Sequence, residues 1–217
     1  MKTLKTSSLV VPFLIMAVLA ATALGAFWLA YKPTPPIAEA ATDVGYGQPS
    51  GAPAIGGPFT LQDDEGRTVT EANLVGEKYH LIFFGFANCP DVCPGMLQLM
   101  AGVEEKLPTA TQAKLQFVFV SVDPARDTLA KLGAYVRGFS PSFVGWTGDK
   151  ANIDAMVKNY LAYYAIAKPA VGDDPAVYNV DHSGFAYLMG PDGTYMAHFR
   201  SSDSAASLQA ALEKFVK

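Results

Sequence analysis

Cysteine is scarce in this chain: Cys89 and Cys93 are the only two among 217 residues. That count excludes a disulfide-dense scaffold and a four-thiolate zinc site. Four positions apart, the pair reads as either a redox couple or two metal ligands. Charge is scarce too. Only 17% of residues are charged, yet 12% are aromatic and the mean hydropathy is +0.18, which excludes a disordered chain. The 16 basic residues form no cluster and the isoelectric point is near 5.3, which argues against nucleic acid as a partner. No internal repeat is present, and the length fits one domain with extensions.

What the sequence does contain is one long uncharged run, the 23 residues from Leu9 to Tyr31. As a helix it would be about 34 Å long, enough to cross a hydrocarbon core of about 30 Å. Lys2 and Lys5 precede it, so the positive-inside rule puts the N-terminus in the cytoplasm and everything after Lys32 outside. Ala21, Thr22 and Ala23 form an A-x-A-like site that suits a cleaved signal peptide instead. The apolar run continues through Phe27, Trp28, Leu29 and Tyr31, with aromatics at interface depth, and this favours a retained anchor. Pro33, Pro35, Pro36, Pro49 and Pro53 then mark an extended spacer. After Lys32 the chain holds 13 basic and 20 acidic residues, so an anionic lipid surface would repel the domain and the tether must hold it there. The expected organisation is an anchor over 1–31, a Pro/Ala/Gly-rich linker over 32–54 and one domain over 55–217.

Within that domain, apolar residues flanking an Asp-Glu-Gly turn predict a β-hairpin over Phe59 to Thr70. The continuous apolar runs Tyr79 to Phe86 and Leu115 to Val122 suit strands buried on both faces. Met96, Leu97, Met100 and Val103 recur at helical spacing over Asp91 to Leu107, with Pro94 in the first turn. Helices are also expected over Thr128 to Phe139, over Asn152 to Tyr163 and from about Ser204. Phe185 to Met189 and Tyr195 to Phe199 flank Pro191-Asp192-Gly193 as a C-terminal hairpin. Alternating helices and strands with a terminal hairpin define an α/β sheet of mixed direction.

The cysteines fall in FFGFANCPDVCPGML, where a strand meets a helix. A helix N-terminus offers free N–H groups and partial positive charge, an environment expected to stabilise a thiolate. Spacing of i, i+4 puts both sulfurs on one helical face. A structural disulfide is the plain alternative, but so short a loop gains little entropic stabilisation from a crosslink. Of the three histidines, His80 and His198 lie in strand-like runs and read as packing or surface residues. His182 sits in the polar turn Asn179-Val180-Asp181-His182-Ser183-Gly184, from which an imidazole can point into a cleft. Cys89, Cys93 and His182 together would form an open S₂N site. Soft thiolates select Cu(I), and three ligands disfavour closed structural zinc. The same thiols could instead exchange with a partner's disulfide.

Five segments in order, FTLQDDEGRTVT, FGFANCPDVCP, SVDPARDT, FSPSFVGWTG and VDHSGFAYLMGPDG, make the chain from about residue 55 to 217 resemble the Sco/SenC family. The resemblance implies a thioredoxin-like fold with an N-terminal β-hairpin, preceded by one transmembrane helix. It implies a copper chaperone for the CuA centre of cytochrome c oxidase, with subunit II as its partner and another periplasmic copper chaperone as a further one. One copper per chain, Cu(I) with Cu(II) as a second state, would be held by Cys89, Cys93 and His182. Asp123 and Arg126 lie in the family's DP-x-R-D segment, and Asp123 is implied to shape the site from behind the ligands. The implied location is the inner membrane, single-pass, with the domain in the periplasm. One departure is Ala87, where many relatives carry a hydroxyl residue two positions before the first cysteine.

The competing function is a thiol–disulfide oxidoreductase that keeps the CuA cysteines reduced. It would need both cysteines but not His182, and a spacing of three intervening residues departs from the two of thioredoxin-like reductases. A thiol peroxidase would need a P-x-x-x-T-x-x-C pattern, absent around Cys89. A purely structural tethered module would hold no metal and an inert disulfide.

Overall fold

The computed structural model describes residues 54–167, 174 and 177–217. The anchor expected over 1–31 and the linker expected over 32–54 lie outside the described residues, Ala54 aside. Among the described residues no helix is long and apolar enough to cross a membrane.

The strand expected over Tyr79 to Phe86 forms as β3 (Tyr79–Gly85), and all seven of its residues are buried. Burial on both faces explains why its sequence is a continuous apolar run. β4 (Leu115–Ser121) runs parallel to it in the register Tyr79↔Leu115 to Gly85↔Ser121. β5 (Val144–Thr147) is parallel to β4, and β1 (Thr60–Asp63) and β2 (Thr68–Thr70) add the N-terminal hairpin beyond it. On the other side of β3, β8 (Phe185–Met189) and β9 (Tyr195–Arg200) form the C-terminal hairpin. The order is β2-β1-β5-β4-β3-β8-β9, a mixed sheet as expected.

Helices cover both faces. One face packs against α1 (Val92–Glu104), α3 (Leu129–Arg137) and α5 (Ala205–Phe215), whose Met96, Leu97, Met100, Leu132, Val136, Leu208 and Leu212 meet Leu81, Phe83, Phe117 and Phe119. The other packs against α4 (Lys150–Asn159), where Ile153, Met156 and Val157 join Ile82, Phe84, Val118 and Val120. A short α2 (Thr109–Ala113), absent from the sequence expectations, follows Pro108.

Helix starts follow side-chain caps. Thr128, Asp149 and Ser204 each accept a backbone N–H three residues ahead, opening α3, α4 and α5. α4 therefore begins before the expected Asn152. It stops at Asn159 rather than Tyr163, because Leu161 takes a left-handed φ of 52°. α1 opens at Asp91 without a side-chain cap, and Pro94 costs no bond there since the first-turn amides have no helical acceptor.

One correction bears on the site. His182 is not in a turn before a strand: it ends β7 (Val180–His182), which pairs with β6 (Tyr164–Ile166) in a separate two-stranded sheet, Tyr164 opposite His182.

Candidate metal centre

The chain leaves β3 at Gly85 and turns through Ala87 and Asn88, where the Cys89 amide donates to Phe86 O at 3.1 Å. Cys89 lies in this loop, not on the helix, and is half-buried; Cys93 is the second residue of α1 and fully buried. The convergence of the two sulfurs therefore comes from the loop folding over the helix start. The Cys93 N–H points at Cys89 Sγ, 3.4 Å away. Both cysteines are free thiols.

Gly85 makes this packing possible. A Cβ there would overlap Cys93 Sγ and press on the Phe119 ring, so the sulfur occupies space that only a glycine leaves open. Gly85 is the last residue of β3.

His182 reaches the pair from β7. Its Nε2 is 3.2 Å from Cys93 Sγ and 3.7 Å from Cys89 Sγ. Its Nδ1 lies 3.1 Å from Ser183 O, and since a carbonyl only accepts, Nδ1 carries the proton and Nε2 presents its lone pair to the sulfurs. The ring meets Phe83 and Phe86 edge-on at 6.0 and 5.8 Å. Ser183 is pinned in turn: its N–H donates to Tyr163 O, and its Oγ accepts the Tyr163 N–H, both at 2.9 Å.

The electrostatics are those of a buried neutral site. Burial pushes the Cys93 thiol well above the usual thiol range, partly offset by the backbone of Phe86, and a charge on Cys89 pushes it further. This corrects the expectation that the helix N-terminus favours a thiolate here: desolvation outweighs it at a side chain with no exposure. Burial also lowers the His182 pKa, keeping the imidazole in its neutral, ligating form.

All three candidate ligand atoms lie within 4.8 Å of one another. Two donors about 2.0–2.3 Å from one ion are separated by up to about 4.6 Å, so a small contraction seats all three. Two soft sulfurs with one imidazole fit a soft or borderline ion. Among the described residues this is the one trio of potential ligands so placed.

Asp123 is not part of it. Its buried carboxylate accepts from Arg126 Nε at 2.5 Å and Tyr178 Oη at 2.7 Å. The Arg126 guanidinium stacks on the Tyr178 ring at 3.6 Å and donates to Tyr178 O at 2.8 Å. Asp123 thus braces the segment that leads into β7. His80 and His198 stay apart, as expected: His80 packs near Trp146, and His198 pairs with Tyr195 Oη through Nδ1 at 2.6 Å. Sequence reasoning missed Ser183, Tyr163 and Tyr178, whose roles depend on backbone pairing that no local pattern announces.

The fold and site define a mixed α/β, thioredoxin-like domain with a Cys-x₃-Cys loop and a distant histidine converging at a strand–helix junction. The sequence profile of SCO1/SenC matches residues 47–217. Human "Protein SCO1 homolog, mitochondrial" is 37% identical over 172 residues, which cover 77% of this chain and 56% of that protein. Solved structures agree: Arabidopsis thaliana ScoI with copper bound has 35% identity and a TM-score of 0.66, over 75% of this chain and 98% of that one. Bradyrhizobium japonicum ScoI with copper bound has 37% identity and a TM-score of 0.64, over 75% and 99%. The chain belongs to the SCO1/SenC family. It spans 50–59% of the length of the first curated relatives it matches.

Proposed function

We propose that this protein binds one copper ion through Cys89, Cys93 and His182 and delivers it to the CuA centre of cytochrome c oxidase subunit II. The observation that carries the reading is the approach of Cys89 Sγ, Cys93 Sγ and His182 Nε2 to within 4.8 Å, on a scaffold shared with copper-bound relatives. Cu(I) replaces the two thiol protons, which leave to solvent, and His182 contributes Nε2 without a proton change. The cation reverses the burial effect on Cys93 by supplying the positive charge that a buried thiolate lacks. Three ligands leave the ion open to an incoming donor, so an acceptor's ligands can add before these let go. Cys89 and His182 are half-buried, whereas Cys93 is fully buried. Residues 1–31 as a single-pass anchor and 32–54 as a spacer would hold the 55–217 domain on the periplasmic side of the inner membrane. Asp123 serves as a brace and not a ligand.

Competitive Cu(I) titration of the reduced protein tests this. The expected stoichiometry is one, and His182→Ala should weaken binding by about tenfold or more while leaving the circular dichroism spectrum unchanged. A His182→Ala protein that held copper as tightly as the parent would overturn the ligand assignment.

A second reading, reduction of the CuA disulfide, is favoured by one observation: Cys89 is a half-buried free thiol with the buried Cys93 thiol beside it to resolve a mixed disulfide. Dithiol exchange needs no imidazole. The His182→Ala variant would then keep full reductase activity toward the subunit II cysteines while losing copper.

A further inference from the structure

The cysteine loop makes few hydrogen bonds of its own, and its start is fixed from another part of the chain. The Ala87 N–H donates to Asp127 Oδ2 at 2.8 Å, and the same oxygen accepts from Ser121 Oγ at 2.6 Å. Position 87 has no polar side chain, so its backbone is its only handle. Asp127 is 1% exposed, and its own N–H donates to Asp123 O at 3.0 Å, which fixes the carboxylate against the end of β4. A second tie runs alongside. Lys131 Nζ, in the first turn of α3, is 3.6 Å from Asp127 Oδ1 and donates to Asn88 Oδ1 at 2.9 Å. The two residues immediately before Cys89 are therefore both held by the 127–131 segment. A buried carboxylate is costly to desolvate and persists where its hydrogen bonds offset that cost. Here one of those bonds goes to the loop that carries the Cys89 sulfur.

We propose that Asp127 is a positioning residue for Cys89: by fixing the Ala87 amide it sets where the Cys89 sulfur lies relative to Cys93 and His182. This rests on the ligand trio described above, and it governs dithiol chemistry as well as copper binding. A carboxylate that only stabilised the fold would change melting temperature and leave the properties of the sulfurs alone.

The test compares Asp127→Ala, Asp127→Asn and the parent in the full-length protein, with two readouts. One is Cu(I) affinity in competition with bicinchoninate. The other is the equilibrium in glutathione buffers, where oxidised glutathione takes two electrons and two protons from the pair, giving a Cys89–Cys93 disulfide and two reduced glutathiones. Asp127→Ala should lose about tenfold or more in copper affinity, as expected when a group supporting a ligand is removed. It should also lower the disulfide constant by about fivefold, because a loosened loop reduces the effective concentration of one sulfur at the other. Asp127→Asn, which keeps an acceptor toward Ala87, should restore most of both. Parent values in Asp127→Ala would overturn the proposal, and so would an equal loss in Asp127→Asn, which would assign the effect to charge. Should Asp127→Ala fail to fold, Lys131→Met, at an exposed side chain, decides: a two- to threefold copper loss supports the tie and none overturns it. If the parent bound no copper, the proposed function would fail while the glutathione equilibrium still decided the role of Asp127.

Discussion

Gly85 shows how tightly single atoms constrain the centre. Cys93 has no exposure, and its sulfur fills the space a side chain at position 85 would take. Gly85→Ala must therefore move the sulfur, the β3 backbone or the Phe119 ring. Overpacking of this kind costs about 1–3 kcal/mol in stability. The larger consequence falls on copper, since Cys93 Sγ is only 3.2 Å from His182 Nε2 and any displacement spoils the trio. Cu(I) competition on Gly85→Ala should show a loss of about tenfold or more, comparable to removing a group that supports a ligand. Unchanged affinity alongside a lowered urea midpoint would mean that the sulfur relaxes freely and that Gly85 serves packing alone.

At the scale of elements, the short β6–β7 sheet delivers His182, and a three-residue strand is too short to be stable by itself. Its support comes from Tyr163 and Ser183 at one end and from the Asp123–Arg126–Tyr178 brace at the other. Arg126→Ala would remove the stack on Tyr178 and leave the Asp123 carboxylate, whose side chain is unexposed, without its cation. Breaking a buried pair in this way costs about 3–5 kcal/mol. Native-state hydrogen exchange should show lost protection at the Ala167 and Ser183 amides, which donate to Asn179 O and Tyr163 O across this pair, while those of β3 stay protected, and copper should dissociate faster. Protection lost uniformly across the sheet would refute a local brace. The same elements explain what was legible in the sequence. The runs YHLIFFG and LQFVFVS, buried on both faces, and the caps Thr128 and Ser204 announce themselves locally. So did the identity of the trio, through residue types of known softness and the family resemblance. The strand carrying His182 did not, because it and its partner β6 are only three residues each, and Asp181 and His182 look like turn residues. Nor did the raised Cys93 pKa, because a helix start is visible in sequence whereas the desolvation that overrides it is a property of the packed core.

Over the whole molecule, the buried histidines couple stability to pH. His80, in β3, is 7% exposed, with Nδ1 lacking a hydrogen-bond partner, and burial together with Lys78 pushes its pKa down to about 4. In the unfolded chain it returns to about 6.5. Between those values the unfolded state binds a proton that the native state refuses, so the stability present above pH 6.5 is lost as pH falls toward 4. From pH 7.5 to 4.5 this one group removes about 2.5 kcal/mol. His182, also lowered by burial, acts with the same sign in the copper-free protein. Urea titrations of the copper-free protein at pH 7.5 and 4.5 should therefore show a marked loss of stability at the lower pH. His80→Phe, placed beside Trp146, removes the titrating ring without opening a cavity and should shrink that loss by about 2.5 kcal/mol. If the variant kept the parent's full dependence on pH, the acid sensitivity would have to arise from the carboxylates instead, such as Asp63, whose pKa is lowered by the Arg67 pairing against its own desolvation.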